Sequence, residues 1–363
     1  MNQSKVLFII INLGGGGAEK VFVNIANGFV EAGNEVWLLL GENFGVYFDI
    51  LDKRVNVEEL KATTMLDFYK KLPNFLKNKG FTHVFTASDY ITAATWLVKK
   101  HRRFDFKFIA TLHYDLPFQL SILPMLNRIW LTWLNKFIIA KSDKMVAVSK
   151  GVKIGFENVV GKKLNNLITI YNPVFSDKIF ELASQSVVDP MPGRIKLISI
   201  GRLMEQKNPM LLLTAFKLLH KNIPDAHLYI LGAGPLQTQM EKYLVENKIS
   251  DFVHFKGFQK NPFKFLSKAD VLVLSSIYEG LGNVIIEALA LGVNVVSTDC
   301  PSGPAEILDY GRFGWLSPVN DPEALAKLIE EALSKPISAK ILQDRSKMFT
   351  ESVIVSQYLK LIE

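Results

Sequence analysis

The stretch Val271-Leu272-Val273-Leu274-Ser275-Ser276-Ile277-Tyr278-Glu279-Gly280-Leu281-Gly282-Asn283-Val284-Ile285-Ile286-Glu287-Ala288-Leu289-Ala290 reads as a strand, a glycine-containing loop and a helix. Four consecutive apolar residues suit a strand buried on both faces of a parallel sheet. Gly280 and Gly282 let the backbone come close to a ligand, and Asn283 is a favoured N-cap, so the amides of Gly282, Asn283 and Val284 can face an anion. Glu279 then falls in the loop, and Glu287 lies about one turn inside the helix. The helix is otherwise apolar from Val284 to Leu291, which predicts a buried Glu287. A buried carboxylate is costly unless it accepts hydrogen bonds, and a ribose diol offers two donors. The plainer alternative pairs Glu287 with a neighbouring Lys or Arg and leaves Glu279 solvated.

Outward from this unit, short β-branched runs alternate with longer helical stretches. Val6 to Ile11, Glu35 to Leu40, His83 to Thr86, Phe106 to Thr111, Lys144 to Ser149 and Leu167 to Tyr171 are predicted strands. A second series comprises Ile195 to Ile200, His227 to Leu231, Phe252 to Phe255, Val271 to Leu274 and Asn294 to Thr298. The alternation predicts an α/β protein with parallel sheets and crossover helices. It lapses between Asn172-Pro173 and Pro190-Met191-Pro192-Gly193, which predicts a first domain at 1–173, a linker at 174–193 and a second domain at 194–337. A last helix, within 338–363, has no strand after it and is expected to cross back to the first domain. Two doubly wound domains facing one another would bring the carboxyl ends of both sheets to one cleft.

Composition sets the outer bounds. The chain has 363 residues, 49% hydrophobic and 21% charged, which supports two globular cores and excludes a disordered or fibrous protein. The lone Cys300 excludes a disulfide framework and suits a reducing compartment. The six histidines are scattered, and no Cys/His cluster has metal-ligand spacing. A net charge of +7 is compatible with a polyanionic partner or with lysines that merely solubilise, and no nucleic-acid recognition motif is present. Val6 to Leu13 follows Lys5 like a signal-peptide core, but four glycines and a helical pattern come next, without a cleavage site. No run reaches the roughly 20 apolar residues of a spanning helix. The expectation is a cytoplasmic protein, soluble or peripheral on the inner face of a membrane.

Three further segments carry chemistry. Gly14-Gly15-Gly16-Gly17, between a strand and a helix, suits close approach of a phosphate or sugar, although a nicotinamide fingerprint would need a glycine where Glu19 or Lys20 stands. A ligand-free tight turn is the alternative. Gly201-Arg202-Leu203-Met204-Glu205-Gln206-Lys207 leaves a strand directly. Its two cations can clamp a diphosphate, the Arg bidentately and the Lys as a point charge; a solvated basic loop is the alternative for Lys207 alone. From Leu116 to Ala140, Phe118, Leu123, Leu126, Ile129, Trp130, Trp133, Phe137 and Ile138 are interleaved with Arg128 and Lys136, with Lys141 just beyond. Such a stretch can lie at a membrane interface or form a core helix with one wet face, and the exposure of its Trp and Lys residues decides.

Together, Gly201-Arg202 with Lys207, the Glu279 and Glu287 pair, and the glycine loop before Ala18-Glu19 resemble the retaining glycosyltransferases of family four, which have the GT-B fold of two facing Rossmann-like domains. The resemblance implies an acceptor-side first domain and a nucleotide-sugar-binding second one. It implies that Arg202 and Lys207 hold the donor diphosphate, that Glu287 binds the ribose, that Glu279 approaches the donor sugar, and that the amides from Gly282 to Val284 touch phosphate or sugar. His113, in Thr111-Leu112-His113-Tyr114, matches a histidine beside the sugar, and Phe258-Gln259 match the stretch that receives the base. Gly16-Gly17-Ala18-Glu19 and Asp299-Cys300-Pro301-Ser302-Gly303-Pro304-Ala305-Glu306 are similar to bacterial members that extend lipid-linked oligosaccharide, capsule or lipopolysaccharide. The implied reaction moves a hexose or N-acetylhexosamine from a UDP-type sugar to a membrane-embedded lipid-linked or other glycan acceptor, giving an α-linkage. With no Asp-x-Asp motif, no obligatory metal or other cofactor is expected. Non-hydrolysing nucleotide-sugar epimerases share the fold and are the rival class.

Overall fold

The computed structural model describes residues 4–187 and 191–363, and residues 188–190 of the expected linker lie outside it. The chain forms two compact units, one running to Val174 and regaining Glu351–Glu363, the other spanning Phe175–Thr350.

The first unit is built on seven strands: β1 (Lys5–Ile10), β2 (Glu35–Leu40), β3 (Asn56–Glu59), β4 (His83–Thr86), β5 (Lys107–Leu112), β6 (Lys144–Ala147) and β7 (Leu167–Thr169). Their spatial order is β3-β2-β1-β4-β5-β6-β7, with every pairing parallel. In β1, Val6 to Ile10 are all buried, as a strand covered by helices on both faces requires. Phe8 stacks on Phe85 at 4.9 Å and meets the edges of Phe22 and Phe29 on the Gly17–Glu31 helix at 5.5 and 5.6 Å. Each such aromatic pair adds about 0.5–1.5 kcal/mol beyond area burial.

The final helix, Glu351–Leu359, places Ile354, Val355 and Tyr358 in the same core. Gly28 makes that possible, since a Cβ there would stand 2.5 Å from Val355 Cγ1. Asn24 ties both chain crossings to this unit, donating to the Pro173 carbonyl and to Glu351 Oε1, each at 2.9 Å.

The second unit has six strands: β8 (Ile195–Ile200), β9 (Ala226–Leu231), β10 (Val253–Gly257), β11 (Val271–Leu274), β12 (Asn294–Thr298) and β13 (Trp315–Ser317). They lie in the order β10-β9-β8-β11-β12-β13, again all parallel. In each sheet the chain moves outward to one edge and then returns to the other side of its first strand. The order therefore reverses between β1 and β4, and between β8 and β11. Loops leaving the carboxyl ends at such a reversal diverge and leave a crevice for a ligand.

The structure departs from the sequence reading at the edges and joins. Strands β3 and β13 were not expected; both are short edge strands, and Asn56-Val57-Glu58-Glu59 carries the charge that protects an open edge rather than a buried pattern. The expected linker is largely structured. Lys178–Ser184 is a helix against the Phe263–Leu266 helix, with Asn261 donating to the Leu182 carbonyl at 2.8 Å. The closing segment is two helices, not one. Ala339–Ser346 packs on the Asn283–Ala290 helix of the second unit, and Thr350 then turns extended, at ψ 152°, to bridge Phe175 before Glu351–Leu359 joins the first unit.

Candidate active site

The two loops at the β8/β11 reversal carry the charged residues singled out in the sequence. After β8, Glu205–Lys207 forms a single 3₁₀ turn that ends at Asn208, whose left-handed conformation and side chain start the Pro209–Asn222 helix. This turn presents Lys207 toward the β11 loop. There Lys207 Nζ donates to Glu279 Oε1 at 2.5 Å, and Ser276 Oγ donates to the same oxygen at 2.6 Å. Glu279 is only 6% exposed, so the ammonium and hydroxyl are what make its burial tolerable.

The backbone around the pair is fixed from three sides. Ile277 N–H donates to Gln206 C=O at 2.8 Å, and Gln206 Nε2 donates to Tyr278 C=O at 3.1 Å. Ser275 Oγ donates to Lys207 C=O at 2.7 Å, and Thr298 Oγ1 donates to Ser276 C=O at 2.6 Å. From β12, Pro301 C=O accepts from Glu279 N–H at 3.2 Å. Gly303, at φ +101°, lies so close to the loop that a Cβ would stand 2.0 Å from Leu281 O. Arg345 braces the segment after Gly303 through the carbonyls of Glu306 and Ile307 at 2.6 and 2.8 Å.

Gly282 rather than Asn283 is the N-cap of Asn283–Ala290, and it makes no side-chain cap bond. At φ +92° the cap position needs glycine, so Asn283 moves into the first turn. In the first turn Ile285 N–H donates to Gly282 C=O at 2.9 Å. Glu287 lies one turn further in, 7% exposed among Ile285, Ile286, Ala288 and Leu289. Arg202 is exposed on the β8 loop. The small void of about 20 Å³ beside that loop holds no more than a water-sized group.

Several supporting residues were missed in the sequence. Gly232 and Gly234, after β9, pack backbone against backbone on the β8 loop: a Cβ on either would stand 1.9 Å from Gly201 O or 2.3 Å from Leu203 O. Two glycines at a strand end were the available signal. Ser275, Ser276, Thr298 and Gln206 carried none, because a hydroxyl or amide beside a loop is commonplace. Phe258, just beyond β10, is exposed, whereas Gln259 folds its Nε2 back onto Lys256 C=O at 2.5 Å.

In the first unit, Gly16 is the N-cap of Gly17–Glu31, and the Glu19 carboxylate lies over it, 2.2 Å from where a Gly16 Cβ would be. The helix start is thus screened by the chain's own anion. His113 follows β5 at the same carboxyl edge. Thr111 Oγ1 donates to Thr86 C=O at 2.9 Å, which uses its only proton. The 2.8 Å contact between Thr111 Oγ1 and His113 Nε2 therefore has the imidazole donating, with its lone pair on Nδ1. Burial lowers the imidazole pKa to about 4, so it is neutral at physiological pH.

Comparisons with known proteins bear on the family and the fold. Residues 15–178 match the family model described as Glycosyltransferase Family 4, and residues 185–349 match Glycosyl transferases group 1. An uncharacterized glycosyltransferase of Methanocaldococcus jannaschii is 34% identical over 200 residues, about half of each chain (50% and 49%). An N-acetylgalactosamine-N,N'-diacetylbacillosaminyl-diphospho-undecaprenol 4-alpha-N-acetylgalactosaminyltransferase of Campylobacter jejuni is 26% identical over 99% of both chains. HepE of Anabaena, solved with UDP and glucose, superposes with a TM-score of 0.79 at 17% identity, covering 99% of each chain, a likeness of fold. With two family models meeting end to end over both units, the chain belongs to the glycosyltransferases of the GT-B fold.

Proposed function

We propose that this protein is a retaining glycosyltransferase that moves a hexose or N-acetylhexosamine from a UDP sugar to a lipid-linked glycan, forming an α-linkage at the inner face of the cytoplasmic membrane. The observation that carries the reading is the Lys207–Glu279 pair spanning the β8/β11 reversal, with Arg202 exposed beside it. Breaking a sugar–phosphate bond builds negative charge on the diphosphate and positive charge at the anomeric carbon. Lys207, Arg202 and the helix start at Gly282 to Val284 meet the first charge; Glu279 meets the second. Lys207 is held by Glu279 until the diphosphate arrives, so donor binding draws one cation from a carboxylate to a phosphate and frees Glu279 for the sugar. Glu287 takes the ribose and Phe258 and Gln259 receive the base, while Gly16, Gly17 and His113 are the first unit's candidate sugar contacts.

Retention follows front-side attack assisted by a leaving-phosphate oxygen. The cations Arg202 and Lys207 supply the field, without a requirement for metal. The Campylobacter relative supports a lipid-linked acceptor by its name, and HepE supports UDP as the nucleotide. The test is a screen of nucleotide sugars for nucleoside diphosphate release, with and without undecaprenyl-diphosphate-linked glycans and with EDTA present. Release that depends on acceptor and survives EDTA is expected. Conversion of a nucleotide sugar to its epimer without acceptor would replace transfer with isomerisation, and rescue only by Mg²⁺ or Mn²⁺ would overturn the metal-independent mechanism.

A further inference from the structure

Glu19 closes the Gly16-Gly17-Ala18-Glu19 motif in the first turn of the Gly17–Glu31 helix, and its side chain curls back over the N-cap. Its Oε2 lies 2.2 Å and its Oε1 3.1 Å from where a Gly16 Cβ would be, so any larger residue at 16 would expel the carboxylate. The positive end of the helix favours its charge. Yet it makes no cap hydrogen bond, and among the described residues neither of its oxygens accepts a hydrogen bond or meets a cation. A carboxylate that only finished a helix end would bond the N-cap amide, as Asp67 Oδ2 does with Thr64 N–H at 3.3 Å.

The neighbours of this carboxylate belong to the same carboxyl edge. Phe22, three residues on and so on the same face of the helix, meets the His113 ring edge-on at 5.9 Å between centres. Glu19 and His113 therefore border one corner, and both are half-buried. His113 commits its Nε2 proton to Thr111 and keeps an Nδ1 lone pair with no partner among the described residues. Beside the same glycine loop, Phe44 is 53% exposed, its Cε2 3.3 Å from where a Gly14 Cβ would be. Acceptors without donors, next to an aromatic face and bare glycine backbone, suit a ring that brings its own donors, and a sugar's hydroxyls do so. An anionic group at this corner would meet the Glu19 charge instead.

We propose that Glu19 is a specificity-determining residue for the sugar: with His113 Nδ1 it accepts from neutral hydroxyls, and it turns away a sugar that carries a carboxylate in place of its C6 hydroxyl. This role rests on the proposed placement of Gly16, Gly17 and His113 against the donor sugar, and it adds the residue that would keep that sugar uncharged. Specificity of this kind comes as much from a charge set against the wrong ligand as from contacts to the right one.

The test is calorimetric binding of UDP-glucose against UDP-glucuronate, and of UDP-galactose against UDP-galacturonate, to the full chain and to its E19Q, E19A and E19D variants, with thermal melting as the check on folding. E19Q and E19A remove the charge, and E19D keeps it on a shorter arm. Wild type should bind the neutral member of a pair roughly 10-fold or more tightly than the uronate, the scale of one like-charge contact in a partly screened site. The ratio should fall close to one in E19Q and E19A and survive in E19D. A Glu19 that only stabilises its helix would lower the melting temperature of the neutral variants and leave the ratio unchanged, which would overturn the proposal. So would a wild type that binds the uronates as well as their neutral partners, or that binds neither. Binding needs no acceptor and no turnover, so the transferase reading fails separately, through the absence of acceptor-dependent UDP release.

Discussion

The two units share a sheet topology and differ in how they handle charge at the point where strand order reverses. At β8/β11 a cation and a buried carboxylate pair across the loops, with a second cation exposed nearby. At the carboxyl edge of the first unit the polar groups are neutral or self-satisfied. His113 is held uncharged by burial, and Glu19 covers its own helix start. Asp89 is pushed above the usual carboxylate range by burial, although the Tyr114 hydroxyl and Asn135 amide donate to it. The same fold thus carries a charged pair at one reversal and neutral or self-satisfied groups at the other. The difference comes from loop residues, not from the sheets.

The strongest way to break this comparison is to remove the charge from the second unit. Lys207→Ala should cost transfer roughly 30- to 5,000-fold in kcat/KM, the range that about 2–5 kcal/mol for a truncated desolvated charge contact implies. It should also lower the melting temperature, because buried Glu279 keeps Ser276 but loses its counter-charge. Arg202→Ala should reduce donor turnover strongly while leaving the melting temperature near wild type, since Arg202 is exposed. Equal thermal loss in the two variants, or unchanged donor kinetics in both, would remove the assignment.

Glycine replacements sharpen the contrast at smaller cost. Gly303→Ala drives a Cβ toward Leu281 O, and Gly45→Ala, at φ +144°, drives one to 2.1 Å from the Leu13 carbonyl. Each should lose on the order of 1–3 kcal/mol in urea unfolding through the strained backbone alone, with the clash adding to it. Gly303→Ala should also depress donor turnover in protein that remains folded, because its loop supports Glu279. Unchanged turnover in folded Gly303→Ala would mean that this loop does not set the position of Glu279.

The mildest effect expected is a pH dependence in the first unit. His113 has a folded pKa of about 4 against an ordinary value of 6.5, so the unfolded chain binds more protons between those limits. Its contribution is full above about pH 6.5 and falls as the pH drops toward 4, by up to about 3 kcal/mol before relaxation and solvent access reduce it. Unfolding free energies of His113→Gln and wild type, compared from pH 7 to pH 4, should show a shallower decline in the variant. Parallel curves would mean that folding does not lower the His113 pKa.

The sequence disclosed the repeated strand–helix alternation because buried parallel strands such as Val271 to Leu274 are uninterrupted apolar runs. It pointed to Arg202, Lys207 and Glu279 because charges near glycines at strand ends have few structural uses, and to Glu287 because it is the one charge in an otherwise apolar helix. It did not disclose that Lys207 and Glu279 pair with each other, since residues 72 apart in sequence meet only through the adjacency of β8 and β11. The edge strands β3 and β13 were hidden by their brevity and, in β3, by charge. The break at Thr350 was hidden because Ala339–Ser346 and Glu351–Leu359 each look helical, and only packing against different units separates them. Asn283 looked like the cap because its side chain favours that role, but the positive φ at the position selects Gly282.

The most direct measurement of the central claim is steady-state kinetics for Glu279→Gln and Glu287→Gln, each checked by circular dichroism for an intact fold. Glu279 sits beside Lys207 at the reversal and is placed at the reacting sugar, where developing positive charge strengthens its interaction, so its amide should mainly lower kcat. Glu287 is placed on the ribose, a contact similar in ground and transition states, so its amide should mainly raise the donor KM. The reverse pattern, or no change in either folded variant, would contradict the placement of a nucleotide sugar across the two glutamates.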